Sequence, residues 1–156
     1  MAPLDHAVAT EDGQLLLQQV LDGAARDAYR RFAVELARMA FADPADAERA
    51  VESGGFVIDG HPFTVVLYEA LNAVEVCCRS RQGPPGQYAM ERMLEFELAH
   101  AGEGVELGID PATGAATARI VAGLHWIDGI ERDGACAIAG QLIGVCRHVV
   151  EAKEDV

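Results

Sequence analysis

Residues Gly104–Ile130 read GVELGIDPATGAATARIVAGLHWIDGI, and this stretch decides the fold. Val105, Leu107 and Ile109 alternate with Glu106 and Gly108, the two-residue period of a strand with one buried face. Asp110, Pro111 and Gly114 then supply turn chemistry: aspartate bonds its own backbone, proline fixes φ, and glycine accepts positive φ. A second strand follows the turn, and Asp128 stands where it would cap a helix. Nothing in the segment is reactive. It is scaffold: strand, tight turn, strand, and a short link into a terminal helix.

The terminal helix is expected from about Gly129 to Lys153, with a stripe of Ala135, Ile138, Ala139, Leu142, Val145, Cys146 and Val149 at helical spacing. Upstream, the segment QGPPG at Gln82–Gly86 breaks the chain, and a helix is expected from Gln87 to Ala101. Its stripe is Met90, Met93, Leu94 and Leu98, and Tyr88, Ala89 and Phe96 carry apolarity beyond it. A short helix that is apolar on more than one side is expected to touch two things: its own core and a second subunit. Gly102 and Gly104 end it.

Three short strands precede that helix: Phe56–Ile58, Phe63–Tyr68 and Ala73–Arg79, the first two joined by a turn at Asp59, Gly60, His61 and Pro62. Val, Phe, Thr and Tyr suit half-buried pleated surfaces. Phe63, Val65 and Leu67 take one face of the middle strand. Thr64, Val66 and Tyr68 take the other, which is also fairly apolar, so one face is expected to meet the protein's own helices and the other something else. At the start, Leu17, Val20, Leu21, Ala24, Ala28, Phe32, Leu36 and Met39 form the stripe of a helix over Gln14–Ala40, which Gly23 can divide in two. A short helix over Asp43–Ser53 has Asp43 as cap and Pro44 at its first position, and Gly54 and Gly55 stop it. Residues 1–12 are expected to be a flexible tail and residues 13–153 a single domain. The fold class is α+β, one antiparallel sheet with helices packed on it, in the order α-β-β-β-α-β-β-α.

Composition narrows function. A 51% hydrophobic content over 156 residues is enough for a core without disulfide or metal. Twenty-five Asp and Glu against twelve Lys and Arg give a net charge of −13, which argues against nucleic acid and anionic membrane as partners. The acidity reads either as solubility alone or as a field that attracts basic partners and keeps an apolar surface from self-association. The four Cys, at 77, 78, 136 and 146, form no CxxC pair, and the five His, at 6, 61, 100, 125 and 148, fall in no metal spacing. His100 and His148 stand at helix ends, where positive charge is favourable. There is no GxSxG elbow. Cys146 and His148 diverge on the helical wheel, and Gly102–Gly104 precedes a strand, so it is not a phosphate loop. Trp126 is expected as a core or interface anchor. No convergent catalytic set emerges, so neither enzyme nor cofactor is expected; a binding module is. The start, MAPLDHAVATEDG, lacks a signal h-region and no apolar run reaches membrane-spanning length, which points to a reducing cytoplasm.

The chain resembles the class I type III secretion chaperones of bacteria. The residues that carry the resemblance are Met93-Leu94-Glu95-Phe96, then Gly104, Leu107, Gly108, Ile109, Asp110, Pro111, Thr113 and Gly114, then Leu124, Trp126, Asp128 and Ile130. They follow the family's run from a Leu-rich helix through GxxLGLDPxTG to an Asp-capped helix, although Leu124-His125-Trp126 lacks the proline of the LPL-like segment. The likeness spans residues 55–150. It implies a cytoplasmic homodimer that binds the N-terminal segment of a secreted effector in extended form, partly as an added strand, and keeps it secretion-competent without ATP. On that basis Leu16, Leu17, Phe56, Ile58, Val66 and Tyr68 are expected to bind the partner. Met90, Met93, Phe96 and Leu107 are expected at the dimer interface. The alternative for each is ordinary core. Two other readings compete: a YbjN-type regulatory module of similar fold, and a small enzyme using Cys136, Cys146 or a His.

Overall fold

Period-two alternation builds the sheet. In the computed structural model, which describes residues 11–153, β1 (Phe56–Ile58), β2 (His61–Tyr68), β3 (Ala73–Arg79), β4 (Val105–Ile109) and β5 (Ala116–Gly123) form one sheet in the order β1-β2-β3-β5-β4. Every pairing is antiparallel. β2 begins two residues earlier than expected. Asp59 and Gly60 both adopt positive φ, 53° and 81°, and Ile58 lies opposite His61, so the hairpin closes on a two-residue turn of the primed type. Pro62 is accommodated because β2 meets β3 only from Phe63 onward.

The helices are α1 (Glu11–Ala37), α2 (Pro44–Ser53), α3 (Gln87–Ala99), a short α4 (Leu124–Ile127) and α5 (Arg132–Val145), which runs into a π-helical turn at Cys146–Val150. α1 is continuous through Gly23 and takes in residues 11 and 12 of the expected tail; residues 1–10 lie outside the described residues. α2 has the expected ends: the Asp43 carboxylate accepts from the Ala45 amide at 2.9 Å, Pro44 is at the first turn, and Gly54 closes the helix at φ 100°. The expected terminal helix is in three pieces. Asp128 does not cap it but follows α4 and pairs with Arg31 at 2.9 Å, while Glu131 precedes α5 with no side-chain cap. Trp126 stands on α4 and is largely exposed, so it does not anchor the core.

The core lies between the helices and one face of the sheet. Cross-strand rows Phe63–Cys78–Ala118–Leu107 and Val65–Val76–Ile120–Val105 meet Phe32, Leu36, Ala47, Ile127, Ile138 and Leu142. A satellite cluster joins Met93 of α3 to Ala116, Val149 and Val150. Tyr29 of α1 donates to the Val65 carbonyl at 2.9 Å, and burial pushes its phenol up. α1 outruns this support: 27 residues span about 40 Å, while an eight-residue strand spans about 27 Å. Its first half therefore projects, and Leu15, Leu16, Leu17, Val20 and Leu21 are exposed.

A buried polar cluster fastens the end of the chain to the sheet. The His61 side chain is wholly inaccessible; its Nε2 lies 2.9 Å from Glu151 Oε2 and its Nδ1 3.1 Å from the Asp59 carbonyl. Both neighbours are hydrogen-bond acceptors that face the ring nitrogens. Arg81 donates from its backbone amide to Glu151 Oε2 at 3.0 Å and from Nε and Nη2 to Oε1 at 3.0 and 2.8 Å. Arg147 pairs with the Asp59 carboxylate beside it. Burial disfavours the charged form of Glu151, but the Arg81 amide and guanidinium, with His61, outweigh it and hold its pKa below the ordinary glutamate value. Such a group adds stability that is fully present above the unfolded-state pKa of about 4.3 and is lost as pH falls through the folded-state value. Glu151→Gln is expected to cost about 3 kcal/mol at neutral pH and to flatten the acid-side decline in stability. Urea unfolding followed from neutral to acid pH measures both, and an unchanged pH profile would remove Glu151 as its source.

Candidate functional site

The outer face of the sheet carries the complementary rows. Thr64, Cys77, Arg119 and Glu106 stand side by side across β2, β3, β5 and β4; Val66, Glu75 and Val121 form the next row; Arg79, Thr117 and Gly108 the row on its other side. The helices contribute their apolar residues to the inner face. On the outer face Val57, Val66, Tyr68 and Val121 are exposed. Val66 and Tyr68 form a short apolar strip on β2, with Val57 set apart on β1 and Val121 beyond Glu75 on β5, and the strip borders a charged ladder. Arg119 bonds Glu106 at 2.8 Å and Glu75 at 3.3 Å, and Tyr68 donates to Glu75 at 3.4 Å. The hydrogen bond to Glu106 leads in raising the Arg119 pKa, so the ladder is permanently charged at its centre.

At one end the face deepens into a depression of about 490 Å³ lined by Thr64, Cys77, Arg79, Thr117 and the β4–β5 turn. That turn is built as its sequence dictates. Asp110 accepts from the Ala112 amide at 2.9 Å and the Thr113 hydroxyl at 3.0 Å, Gly114 donates to the Asp110 carbonyl at 2.7 Å at φ 75°, and Arg79 reaches Asp110 at 3.5 Å. The Ala112 amide leads in holding the Asp110 carboxyl below the ordinary aspartate value. The depression offers hydrogen-bonding groups but no nucleophile poised against a base. Burial, then Glu75, pushes the Cys77 thiol up. On the inner face the Cys78 thiol is pushed up by its contact with Cys146, 3.7 Å away, and by burial. Among the described residues no three His, Cys, Asp or Glu side chains gather to hold a metal ion, and no helix is long and apolar enough to cross a membrane.

The residues expected to bind a partner divide. Leu16, Leu17, Val66 and Tyr68 are exposed. Phe56 and Ile58 are not: they point to the inner face, Phe56 stacks on Phe63 at 6.1 Å, and both are core. The strand alternation that exposes Val57 buries its two neighbours. The expected dimer residues divide likewise. Met93 is buried, Phe96 and Leu107 are half-buried against the satellite cluster, and Met90 is exposed together with Leu94 and Leu98. The outward stripe of α3 is therefore Met90, Leu94 and Leu98, at four-residue spacing. Two features escaped the sequence. The ladder of Glu75, Arg119 and Glu106 left a trace, because Glu75, Cys77 and Arg79 alternate with Val74, Val76 and Cys78. The His61–Glu151 contact joins residues 90 positions apart and left none.

No family model matches the chain, and no curated protein matches it. Among solved structures it is similar to a chain of the HopA1-SchA chaperone-effector complex, with 17% identity and a TM-score of 0.50 over 63% of this chain and 74% of that one. It is also similar to a chain of the ExsC-ExsE complex, with 13% identity and a TM-score of 0.50 over 64% of this chain and 77% of that one. The fold is type III secretion chaperone-like. At these identities the likeness speaks for the fold. The strand alternation predicts the outcome of a paired substitution. Phe56→Ala is expected to cost about 3 to 4 kcal/mol as a core cavity. Val66→Ser on the outer face should cost no more than about 1 kcal/mol. Chemical denaturation of both variants checks the assignment of faces, which equal losses would contradict.

Proposed function

We propose that the protein is a type III secretion chaperone that binds the extended N-terminal segment of a secreted effector and keeps it secretion-competent without ATP. The observation that carries this reading is the open outer face of the sheet, with Val57, Val66, Tyr68 and Val121 exposed on a platform whose helices take the other face. The likeness to a chain of a chaperone-effector complex supports it. Strand addition at the free edge of β1 would supply affinity through backbone hydrogen bonds, and the apolar strip would supply selection. Leu16 and Leu17 on the projecting half of α1 would extend the contact. The working form in this reading is a cytoplasmic homodimer joined through the Met90, Leu94 and Leu98 stripe of α3, with Phe96 and Leu107 behind it. Two grooves in one dimer raise the effective concentration for a long segment.

Light scattering at micromolar concentration should give a dimer mass, and Leu94→Asp with Leu98→Asp should give a folded monomer. A monomer mass for the parent would remove the homodimer.

Co-expression with secreted proteins encoded nearby, followed by pull-down, should recover one of them. Val66→Asp with Tyr68→Asp should lose it while the circular dichroism spectrum stays unchanged. If the parent recovers no secreted protein, the chaperone reading fails.

A further inference from the structure

A second surface lies on the opposite side of the molecule from the sheet's open face. A groove of about 540 Å³ runs between α1 and the link from α4 to α5, a size at which pockets take a few side chains. Ala28, Val34, Ile127 and Ile130 give it an apolar lining. Arg31 on one wall bonds Asp128 on the other at 2.9 Å. The remaining basic residue of the rim, Arg30, is turned to Glu52 at 2.7 Å, and Glu35 pairs with Arg38 at 3.3 Å. Asp27, Glu48 and Glu131 also line the groove. They are exposed and form no ion pair among the described residues. The rim thus offers three unmatched carboxylates and no unmatched cation, above apolar side chains.

We propose that this groove docks a cationic, aliphatic segment of the partner polypeptide, its Leu- or Ile-like side chains on the apolar lining and its Arg or Lys side chains against Asp27, Glu48 and Glu131. The proposal rests on the reading of the chain as a polypeptide-binding protein and adds the chemistry of what it binds. Charge complementarity selects this occupant. A second copy of the chain, itself at −13, meets like charge at the rim, and so does any phosphate. An uncharged apolar segment would leave the carboxylates unmatched. Each exposed pair contributes little alone, but three acting together on one segment steer its approach and set its direction.

The test is fluorescence anisotropy with a short fluorescein-labelled peptide of Leu and Arg, and with its counterpart in which Glu replaces Arg. The folded parent should bind the Leu/Arg peptide and not the Leu/Glu one. The variant D27N/E48Q/E131Q should weaken binding about tenfold, the sum of three exposed pairs of about 0.5 kcal/mol each. The variant E91Q/E95Q/E103Q removes three carboxylates elsewhere and should change it less than twofold. Equal loss in both variants, equal binding of the Leu/Glu peptide, or no binding of the Leu/Arg peptide by the parent would each overturn the groove. Pull-down separates this from the function itself. A secreted partner recovered equally by parent and D27N/E48Q/E131Q would overturn the groove and leave the chaperone reading standing. Selective loss of the Leu/Arg peptide in that variant, with no secreted partner recovered, would support the groove and remove the chaperone reading.

Discussion

One face of a five-stranded sheet carries the described helices, and the rest of the molecule depends on that asymmetry. Strand side chains alternate strictly, so a sheet covered on one side must divide each strand into a buried row and an exposed row. Here the buried rows are Val, Ile, Leu, Phe and small residues that fit under α1 and α5. The exposed rows mix Val and Tyr with a fixed Glu75–Arg119–Glu106 ladder. A one-residue slip in β2 would bring Thr64 and Val66 inside and put Phe63 in water. Register is thereby fixed by burial, and the composition of the outer surface follows from it.

The same asymmetry leaves the far end of the chain in need of an anchor. After α5 the backbone widens into a π-helical turn, and the Glu151 amide reaches back to the Cys146 carbonyl at 2.7 Å. The Glu151 side chain then collects four donors, three from Arg81 and one from His61. Burying a carboxylate is costly unless it is matched this fully. Its partners come from the start of β2 and from Arg81 just after β3, so the anchor ties this turn to one end of the paired β2 and β3 strands. Arg92 of α3 adds a bond to the His148 carbonyl at 2.6 Å, which brings the outward-facing helix into the same unit.

Local chemistry was legible in the sequence and long-range chemistry was not. The DPATG turn and the Asp43–Pro44 cap each rest on residues a few positions apart, and each lies where those residues put it; the turn expected over Asp59–Pro62 is shorter, because His61 and Pro62 already pair with β1. The alternation in Phe63–Tyr68 likewise separated inner from outer side chains. Phe56 and Ile58, expected either at a partner surface or in the core, lie in the core; a three-residue strand has too little alternation of its own to choose, and its pairing with β2 decides. Asp128 looked like a helix cap, but Arg31, distant in sequence, takes its carboxylate. Met93 and Met90 belong to one apolar stretch on the helical wheel, and only the packing of Val149 and Val150 shows which of them faces inward.

Among the described residues, apolar side chains stand exposed in rows on the projecting half of α1, along the Met90–Leu94–Leu98 stripe and on the Val66–Tyr68 strip. Single exposed apolar residues are ordinary on any protein surface, but these recur in rows at helix or strand spacing. Leu98, at 84% exposure, and Val20, at 67%, contribute nothing to the core. Burying such a side chain is worth about 1.5 to 3 kcal/mol, so a row of three or four supplies the scale needed to offset an association cost of about 4 to 15 kcal/mol. One row alone stays near the break-even point, whereas rows engaged together exceed it. In a chain of net charge −13, mutual repulsion opposes random contact between copies. An interface that joined rows in register, or a partner of opposite charge, would overcome that repulsion, and association through these rows would then be selective.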